Sequence, residues 1–361
     1  MNNTQNPAPD TTCCIIGGGP AGIMLGYLLA RSGVPVTVLE KHTDFFRDFR
    51  GDTIHPSTLQ LLHELGLLDR FLQVPHTKVT GMSGIIGGQQ LHMSDFSHLP
   101  TVAKYIALMP QWDFLNFLSN EASAFPGFDL RMGWEATGLL HGNGRVAGVV
   151  AKTPDGPAEI RATLTVGCDG RHAASRAAAN LNVVEQGVPI DVLWFRIARR
   201  PQDPENALGY FNYGRVLILI NRSDYFQAGF IIPKGFYPQL QQRGLPAFRS
   251  TLEQLAPFLR GRTESLDSWS GIKLLTVQIN HLERWWLSGL LCIGDAAHAM
   301  SPRRRHRHQH RYPGLRRRRQ HPRRAAPHPL PHRPPPPMGP AASHPCRPPH
   351  PALPSHSPPH P

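Results

Sequence analysis

The beginning of the chain joins an apolar run to a helical pattern through three successive glycines, Gly17 to Gly19. Residues 13–16 are apolar throughout, which is typical of a parallel strand covered on both faces. Residues 20–31 carry isoleucine and leucine suited to burial, with a proline in the first turn and a glycine soon after the end. Residues 34–40 again predict a strand. This order predicts a right-handed βαβ unit whose glycine turn follows the first strand.

The glycine turn has the spacing Gly17-x-Gly19-x-x-Gly22, which is a dinucleotide-binding pattern. Gly17 permits a tight turn, Gly19 lets the backbone approach a pyrophosphate, and Gly22 lets helix and strand pack closely. The helix then offers unpaired N–H groups to phosphates. Glu40 ends the second strand, where a carboxylate accepts hydrogen bonds from ribose hydroxyls and repels a 2′-phosphate. The alternative is a glycine-rich turn with a purely structural role.

Further along the chain, the pattern changes from alternating strands and helices to an antiparallel sheet. Residues 160–168 predict a strand that ends at Asp169-Gly170, and residues 286–293 predict one that ends at Gly294-Asp295. Residues 187–232 alternate apolar and polar side chains, which is typical of an antiparallel sheet with one covered face. The remaining predicted elements are helices over 55–72, 111–125 and 238–260, strands over 128–168 and 272–279, and a hairpin turn over 141–145.

The predicted fold is α/β, a two-domain α+β chain with a Rossmann-like nucleotide-binding domain and a second domain built on an antiparallel sheet. The sheet of the first domain is mainly parallel. This domain is discontinuous because the strand at 286–293 returns to it late. We predict the first domain over 10–80, 104–182 and 286–302, and the second over 81–103 and 183–285.

The last 59 residues have a different composition from the rest of the chain. Residues 303–361 contain 13 arginines, 18 of the 37 prolines and 10 of the 20 histidines, and no Lys, Asp or Glu. The formal net charge of the chain is +13, and the tail accounts for all of it. Such a composition predicts a disordered tail and non-specific adhesion to RNA through arginine, with no specific nucleic acid as partner.

Cysteine usage and hydropathy restrict the compartment. The five cysteines are odd in number, scattered, and without zinc-binding spacing, which favours free thiols in a reducing compartment and no metal site. No apolar run approaches the ~18–20 residues of a membrane span. The polar N-terminus lacks the regions of a secretory signal. We therefore expect a cytoplasmic protein without a membrane span.

Two further motifs place an aspartate beside a glycine at a strand end: Cys168-Asp169-Gly170-Arg171-His172, and Ile293-Gly294-Asp295-Ala296-Ala297-His298. The glycine turn and these two motifs follow one another in a fixed order over about residues 10–302. In these three motifs and their order, the sequence resembles the FAD-dependent aromatic hydroxylases, which are single-component flavoprotein monooxygenases of the para-hydroxybenzoate hydroxylase type.

The resemblance implies roles for individual residues. Glu40 is similar to the family's ribose-binding acid, Asp295 to the aspartate that binds the ribityl chain, and Arg50 to a flavin-contacting arginine. Gln111 corresponds to a glutamine near the ribityl chain. The implied FAD-binding set is Gly17, Gly19, Pro20, Ala21, Gly22, Glu40, Arg50, Gln111, Asp169, Gly294, Asp295 and Pro302, with His172 and Arg176 as candidates for the phosphates of NAD(P)H.

Most of these residue types are also common in purely structural roles. Asp169 and Asp295 are also suited to turns or helix caps, and Gln111 to opening its helix. Arg50 is also suited to a place on the surface, and His172 and Arg176 to solvation.

The resemblance also implies a reaction. NAD(P)H reduces FAD, reduced flavin reacts with O2 to a C4a-hydroperoxyflavin, and hydroxyl is transferred to a small aromatic or similar apolar substrate. The flavin carries this chemistry, so no protein nucleophile is expected. The alternatives are a related FAD-dependent reductase or halogenase, and a non-catalytic FAD-binding remnant. Candidate aromatic residues for the substrate side are Trp194, Phe195, Tyr213, Tyr225, Phe226 and Phe230.

After Pro302 the sequence departs from the family pattern, which continues with a glycine-rich turn and a long helix. Back-translation from Arg303 with suitable codons, shifted by one base, gives GGVTGINTAIQDSVAAANTL, which is close to the missing family segment. We interpret the tail as the product of a shifted reading frame, in the gene or in its sequencing. The interpretation predicts weak FAD retention, poor coupling and an impaired enzyme.

Overall fold

The computed structural model describes residues 8–46, 53–204, 208–212, 214–222 and 224–300. The predictions for Arg50, Pro302 and the tail lie outside these residues.

The strands, numbered along the chain, are β1 (Thr11–Ile16), β2 (Val36–Glu40), β3 (Thr53–Ile54), β4 (Thr77–Val79), β5 (Gly81–Ile86), β6 (Gln89–Asp95), β7 (Ile106–Leu108), β8 (Phe128–Met132), β9 (Glu135–Gly142), β10 (Arg145–Thr153), β11 (Gly156–Gly167), β12 (Val183–Gln186), β13 (Ile190–Ala198), β14 (Leu208–Asn212), β15 (Arg215–Asn221), β16 (Tyr225–Pro233), β17 (Lys273–Leu275), β18 (Ile279–Leu282), β19 (Trp286–Leu287), β20 (Leu290–Cys292) and β21 (His298–Ala299).

The α-helices are α1 (Pro20–Arg31), α2 (Pro56–Glu64), α3 (Leu68–Phe71), α4 (Gln111–Ser123), α5 (Ala174–Ala178), α6 (Tyr237–Gln242) and α7 (Leu245–Leu255). Short 3-10 turns cover Pro257–Leu259, Thr263–Ser265, Trp269–Gly271 and Gly294–Ala296. None of the helices in the described part is long and apolar enough to cross a membrane.

An eight-stranded sheet contains the predicted βαβ unit. Its main path runs β19-β20-β11-β1-β2-β8, and all pairs from β20 to β8 are parallel. β9 and β10 extend β11 as an antiparallel meander. The side chains of Cys13, Cys14, Ile15 and Ile16 are at most 3 % exposed, because α1 and α4 cover one face and residues of the meander cover the other. The predicted doubly covered parallel strand is therefore confirmed.

A seven-stranded sheet forms the second layer of the molecule, in the order β17-β13-β16-β15-β14-β5-β6. Most neighbouring pairs are antiparallel, and β14 with β5 is parallel. Phe195, Phe226 and Phe230 point to the face that packs on α7. Phe195 and Phe230 contact Phe248 of that helix edge to face, with ring centroids 5.5 Å apart in both pairs. The mixed α/β fold agrees with the prediction. The division into two domains at the stated boundaries stays a prediction.

Two small three-stranded sheets complete the architecture. One has the order β3-β7-β4, and the other has the order β12-β18-β21.

Several predicted elements have different bounds in the structure. Residues 286–293 are not one strand, because Gly289, with φ +83°, turns the chain between β19 and β20. Residues 272–279 contribute to two different sheets through β17 and β18. The predicted helix over 55–72 is divided at Gly66, whose φ of +73° ends α2 as expected for a stop signal. The hairpin at 141–145 is confirmed, with Asn143 and Gly144 both at positive φ.

Candidate functional site

The carboxyl ends of β1, β2, β11 and β20 open into one cleft with a volume of about 680 Å³. Because these strands are parallel neighbours, the loops that follow them meet at one edge of the sheet. Glu40, Asp169 and Asp295 all line this cleft. The structure thus brings together three carboxylates that are more than 100 residues apart in sequence.

The glycine turn has the close contacts that its spacing requires. Gly17 has a φ of +105°, and a Cβ there would lie 2.6 Å from the carbonyl oxygen of Cys168. A Cβ on Gly22 would lie 1.9 Å from the carbonyl oxygen of Gly17. A Cβ on Gly19 would meet nothing within 4 Å. Gly17 and Gly22 are thus required by packing, whereas Gly19 faces open space at the start of α1.

The helix α1 begins beside the cleft without a side-chain cap. Gly19 is its N-cap residue, in an extended conformation, and Pro20 is its first residue. Pro20 and Ala21 line the cleft with Gly17 and Gly19. The N–H groups of an uncapped first turn carry partial positive charge, which favours an anion at this place.

Glu40 is held in a fixed orientation by two backbone groups. The N–H of Gly18 donates to Oε2 at 3.0 Å, and the N–H of His42 donates to Oε1 at 3.1 Å. The residue is only 9 % exposed. Trp134 lies beside it in the cleft, because the Trp134 N–H donates to the Glu40 carbonyl at 2.9 Å. These two contacts fix the orientation of the Glu40 carboxylate at the edge of the cleft.

The two aspartates of the later motifs differ in their surroundings. Asp169 accepts hydrogen bonds from the Ser175 N–H at 2.9 Å and from the Ser175 hydroxyl at 2.6 Å. It therefore ties down the start of α5 in addition to lining the cleft. Asp295 lies in the 3-10 turn after β20 and is exposed to the cleft. Gly294 of that turn approaches α1 closely, since a Cβ there would lie 3.1 Å from the Cβ of Ala21.

Gln111 is both the first residue of α4 and a cleft residue. The position of Gln111 is therefore compatible with both predicted roles, which are to open its helix and to contact a ligand.

The two residues predicted to hold the phosphates of NAD(P)H are placed differently. His172 is exposed and lines the cleft. Arg176 is only 8 % exposed and does not line it. The Arg176 guanidinium donates to the carbonyls of Ala296, at 3.3 Å, and Arg171, and to Asn280 Oδ1 at 3.4 Å. This arginine links α5 to the turn that carries Asp295, and its role towards NAD(P)H stays a prediction.

The seven-stranded sheet contributes Trp194 of β13 to the lining of the cleft. Trp194 lies on the sheet face opposite Phe195, and Leu275 of β17 joins it in the lining. A Cβ on Gly229 would lie 3.1 Å from the Trp194 ring, so the glycine lets the indole lie flat on the sheet. The indole Nε1–H has no hydrogen-bond partner among the residues that the structure describes.

The aromatic candidates for the substrate side are thus only partly correct. Phe195, Phe226 and Phe230 belong to the core under α7 and do not line the cleft. The alternation of side chains along β13 predicts that they point to two faces of the sheet. It does not predict which of these faces is packed against α7 and which faces the cleft. Tyr213 lies outside the described residues. Other lining residues that the sequence did not single out are Lys41, His42, Phe45, Leu115, Trp134, Glu135, Ala136, Ala174 and Leu275.

The cysteines near the cleft are not suited to nucleophilic chemistry. Cys13, Cys14, Cys168 and Cys292 are buried and free. Burial raises the pKa of Cys13 and Cys292 to about 11 and that of Cys14 to about 12. The described residues contain no group of His, Cys, Asp and Glu side chains that could hold a metal ion.

Comparison with known proteins identifies the family. A family model described as FAD binding domain matches residues 10–304. The 6-methylpretetramide 4-monooxygenase of Streptomyces rimosus is 30 % identical over 316 residues, which is 84 % of this chain and 73 % of that protein. The chain belongs to the FAD-dependent monooxygenase family.

Two further known proteins are similar over much of the chain. An uncharacterised aromatic compound monooxygenase of Bacillus subtilis, YhjG, is 33 % identical over 290 residues, 80 % of this chain and 56 % of that protein. The crystal structure of p-nitrophenol 4-monooxygenase from Pseudomonas putida matches with a TM-score of 0.65 and 19 % identity, covering 81 % of this chain and 74 % of the other. This second likeness concerns the fold alone.

Proposed function

We propose that this chain binds FAD in the cleft and uses NAD(P)H and O2 to hydroxylate an aromatic or similar apolar substrate. When bound, FAD supplies the electron transfer and oxygen activation of the reaction. The observation that carries the proposal is the convergence of Glu40, Asp169 and Asp295 on one cleft at the carboxyl edge of a parallel sheet.

The residues around the cleft fit the chemical groups of FAD. Gly19 leaves open space in front of the uncapped start of α1, where a pyrophosphate would be stabilised by N–H groups. Glu40 is oriented to accept hydrogen bonds from the adenosine ribose. Gln111 and Asp295 supply polar groups further along the cleft, where we assign the ribityl chain.

Two apolar residues of the seven-stranded sheet suit the substrate side. Trp194 and Leu275 close the cleft with an aromatic and an aliphatic surface. Such a surface binds an aromatic ring and excludes water from the place of reaction, which limits the loss of reducing equivalents to side reactions. In this proposal Trp194 orients the substrate and transfers no proton.

The test is a set of turnover assays on the purified full chain loaded with FAD. We expect NAD(P)H oxidation that depends on FAD and is stimulated by aromatic phenols, with a product that has gained one oxygen atom by mass spectrometry. An FAD-loaded protein that oxidises NAD(P)H but oxygenates no member of a broad aromatic panel would contradict the hydroxylase assignment. A protein that reduces its flavin but is insensitive to O2 would instead be a reductase.

Halogenation is a second candidate because one relative carries that activity in its name. The 1H-pyrrole-2-carbonyl-[peptidyl-carrier protein] brominase of Pseudoalteromonas luteoviolacea is 24 % identical over 301 residues, 80 % of this chain and 71 % of that protein. The same assay with and without bromide or chloride separates the two reactions. Halide-dependent products with a carbon–halogen bond would favour the second candidate.

We also propose that the activity of this chain is weaker than that of its relatives. The support is the sequence after Pro302, which contains no counterpart to the glycine-rich turn and helix of the family pattern. Replacing the codons from Arg303 onward by the one-base-shifted frame is the direct test. We expect higher FAD retention and more product per NAD(P)H in the reframed protein, and equal values in both proteins would contradict the proposal.

A further inference from the structure

A second concavity, with a volume of about 320 Å³, lies next to the FAD cleft and shares no lining residue with it. Its lining is polar and carries two cations. Its residues are Arg196, Ser265, Leu266, Asp267, Ser268, Ser270, Gly271 and Lys273. Nothing in the hydroxylation chemistry proposed above uses this second pocket.

The register of β13 and β17 places the second pocket directly beside the cleft. Lys273 is paired with Trp194 across the two strands, and Arg196 lies two residues beyond Trp194 on the same face. Leu275, which lines the cleft, is two residues from Lys273 on the same face of β17. Two residues of a strand span about 7 Å. One ligand can therefore contact both the cation pair and the cleft.

The predicted NAD(P)H-contacting loop reaches the same strand. The Arg171 guanidinium donates to the Thr276 carbonyl at 3.2 Å, which holds the loop of residues 171–172 against the end of β17. His172 and Leu275 both line the cleft, and Lys273, two residues before Leu275, lines the second pocket.

The polar groups of the second pocket are held in place by contacts within the chain. The Lys273 ammonium donates one hydrogen bond to the Ser270 carbonyl at 2.8 Å, which fixes it and leaves further N–H donors for an anion. The guanidinium carbon of Arg196 lies 4.9 Å from the centroid of the Tyr225 ring, a cation–π contact that restrains this side chain. Ser268 and Ser270 share a hydroxyl hydrogen bond of 2.7 Å. Asp267 adds an acceptor for hydroxyl groups.

We infer that this pocket binds the phosphorylated ribose of the nicotinamide dinucleotide, with the nicotinamide extending towards the cleft at Trp194. The inference rests on the proposed function. Cations and serine hydroxyls bind phosphate oxygens. The two cations of the pocket, Arg196 and Lys273, outnumber its single carboxylate, Asp267, so the pocket attracts a phosphate that a carboxylate alone would repel. Asp267 is left to accept a hydrogen bond from a ribose hydroxyl. An apolar aromatic substrate uses none of these groups, whereas the phosphates of a dinucleotide are bound by cations and hydroxyls.

The test is calorimetric binding of NADPH, NADH and 2′-phospho-ADP-ribose to the FAD-loaded protein. Lys273→Met and Arg196→Met keep the aliphatic stems and remove the charges. We expect each variant to weaken NADPH and 2′-phospho-ADP-ribose about tenfold or more, with the affinity for FAD unchanged. Lys152→Met removes an exposed charge of β10, away from the pocket, and should change neither affinity.

The outcomes separate this inference from the proposed function. A wild-type protein that binds no FAD removes the proposed function itself. Unchanged affinities for NADPH in both FAD-loaded variants would overturn the pocket assignment alone. A variant that binds NADPH normally but loses affinity for a carboxylated aromatic substrate would also overturn it, because the anion would then belong to the substrate. Weaker binding of NADPH and of 2′-phospho-ADP-ribose, without an effect on aromatic substrates, supports the inference.

Discussion

At the scale of single residues, the glycines of the turn are there for two different reasons, packing and ligand binding. Gly22 has no room for a side chain, since a Cβ would lie 1.9 Å from the Gly17 carbonyl oxygen. Gly19 has room, and its backbone conformation suits any residue. A glycine that neither sterics nor backbone conformation demands in the protein alone is best explained by a ligand that approaches its backbone.

We expect substitution of Gly19 to affect FAD affinity and substitution of Gly22 to affect stability. We expect Gly19→Ala to weaken FAD about tenfold or more, because the new methyl group would lie where the pyrophosphate binds. The unfolding free energy of the flavin-free variant should stay within about 0.5 kcal/mol of wild type. Gly22→Ala should lower it by about 1–3 kcal/mol or more, since it overpacks the helix–strand contact. FAD titration and urea unfolding measure the two effects.

A Gly19→Ala variant without an effect on FAD affinity would contradict the interpretation that Gly19 makes room for a ligand. If this variant binds FAD with wild-type affinity, the turn has a structural role only.

The buried thiols should be unreactive in the folded protein. Burial raises the pKa values of Cys13, Cys14 and Cys292 to about 11–12, so the reactive thiolate is scarce at pH 8. In a Cys346→Ser variant, which removes the thiol outside the described residues, we expect labelling by a disulfide reagent only after unfolding. Rapid labelling at pH 8 in the native state would show that the core around β1 and β20 opens readily.

At the scale of elements, Arg176 connects three parts of the chain that the sequence treats separately. Its guanidinium holds α5, β18 and the turn of Asp295 together through two carbonyls and the side chain of Asn280. The motif after Asp169 therefore has a structural task in the protein without any nucleotide.

Replacement of this arginine tests that task. We expect Arg176→Met to lower the unfolding free energy of the flavin-free protein by about 2–3 kcal/mol, because charge-assisted hydrogen bonds to buried acceptors are lost. Arg260→Met, at an exposed position, serves as the control. A flavin-free variant as stable as wild type would show that Arg176 acts only towards a ligand.

Asp191 gives the seven-stranded sheet a pH-dependent contact. It is 3 % exposed and accepts hydrogen bonds from Lys234 Nζ at 3.0 Å and from the N–H groups of Gly235 and Val277, both at 3.1 Å. Burial alone would raise the Asp191 pKa, but these donors outweigh burial and lower it. A carboxyl with a lowered pKa stabilises the fold above its unfolded pKa, and this contribution is lost as the pH falls through the folded value.

We therefore expect a pH-dependent effect of Asp191→Asn. At pH 7 it should cost about 1–3 kcal/mol of unfolding free energy. The difference from wild type should shrink as the pH falls below the ordinary value of about 3.9. Urea unfolding from pH 7 to pH 3 measures this, with Asp155→Asn as the control at an exposed turn. A difference that is constant over the whole range would contradict the ionic origin.

Helices, strands and turns could be predicted where residues close together in the sequence determine them. The βαβ unit follows from an apolar run, a glycine turn and a helical pattern, and α1 has the predicted bounds. The hairpin of β19 and β20 was missed because strands of two and three residues are too short to show a period. The convergence at the cleft was expected from strand ends, but the contribution of Trp194 depends on which face of β13 is covered, and this is a tertiary property.

At the scale of the whole molecule, the chain combines a body without formal net charge and a strongly basic tail. Deletion of residues 303–361 should abolish retention of RNA at low salt, because all excess arginine charge is removed. Binding of added FAD should survive, since every described cleft residue precedes position 300. Electrophoretic shift assays and FAD titration of the two proteins measure these effects. Persistent RNA binding after the deletion would place the contact on the body.

The account depends on one FAD held jointly by the loops after β1, β2, β11 and β20. The most direct measurement is a FAD titration of the full chain, followed by quenching of flavin fluorescence, for wild type, Gly19→Ala and Asp295→Ala. The account predicts saturation at one FAD per chain in wild type and a loss of affinity of about tenfold or more in each variant. A folded wild-type protein that shows no saturable binding, or variants that bind as tightly as wild type, would contradict it.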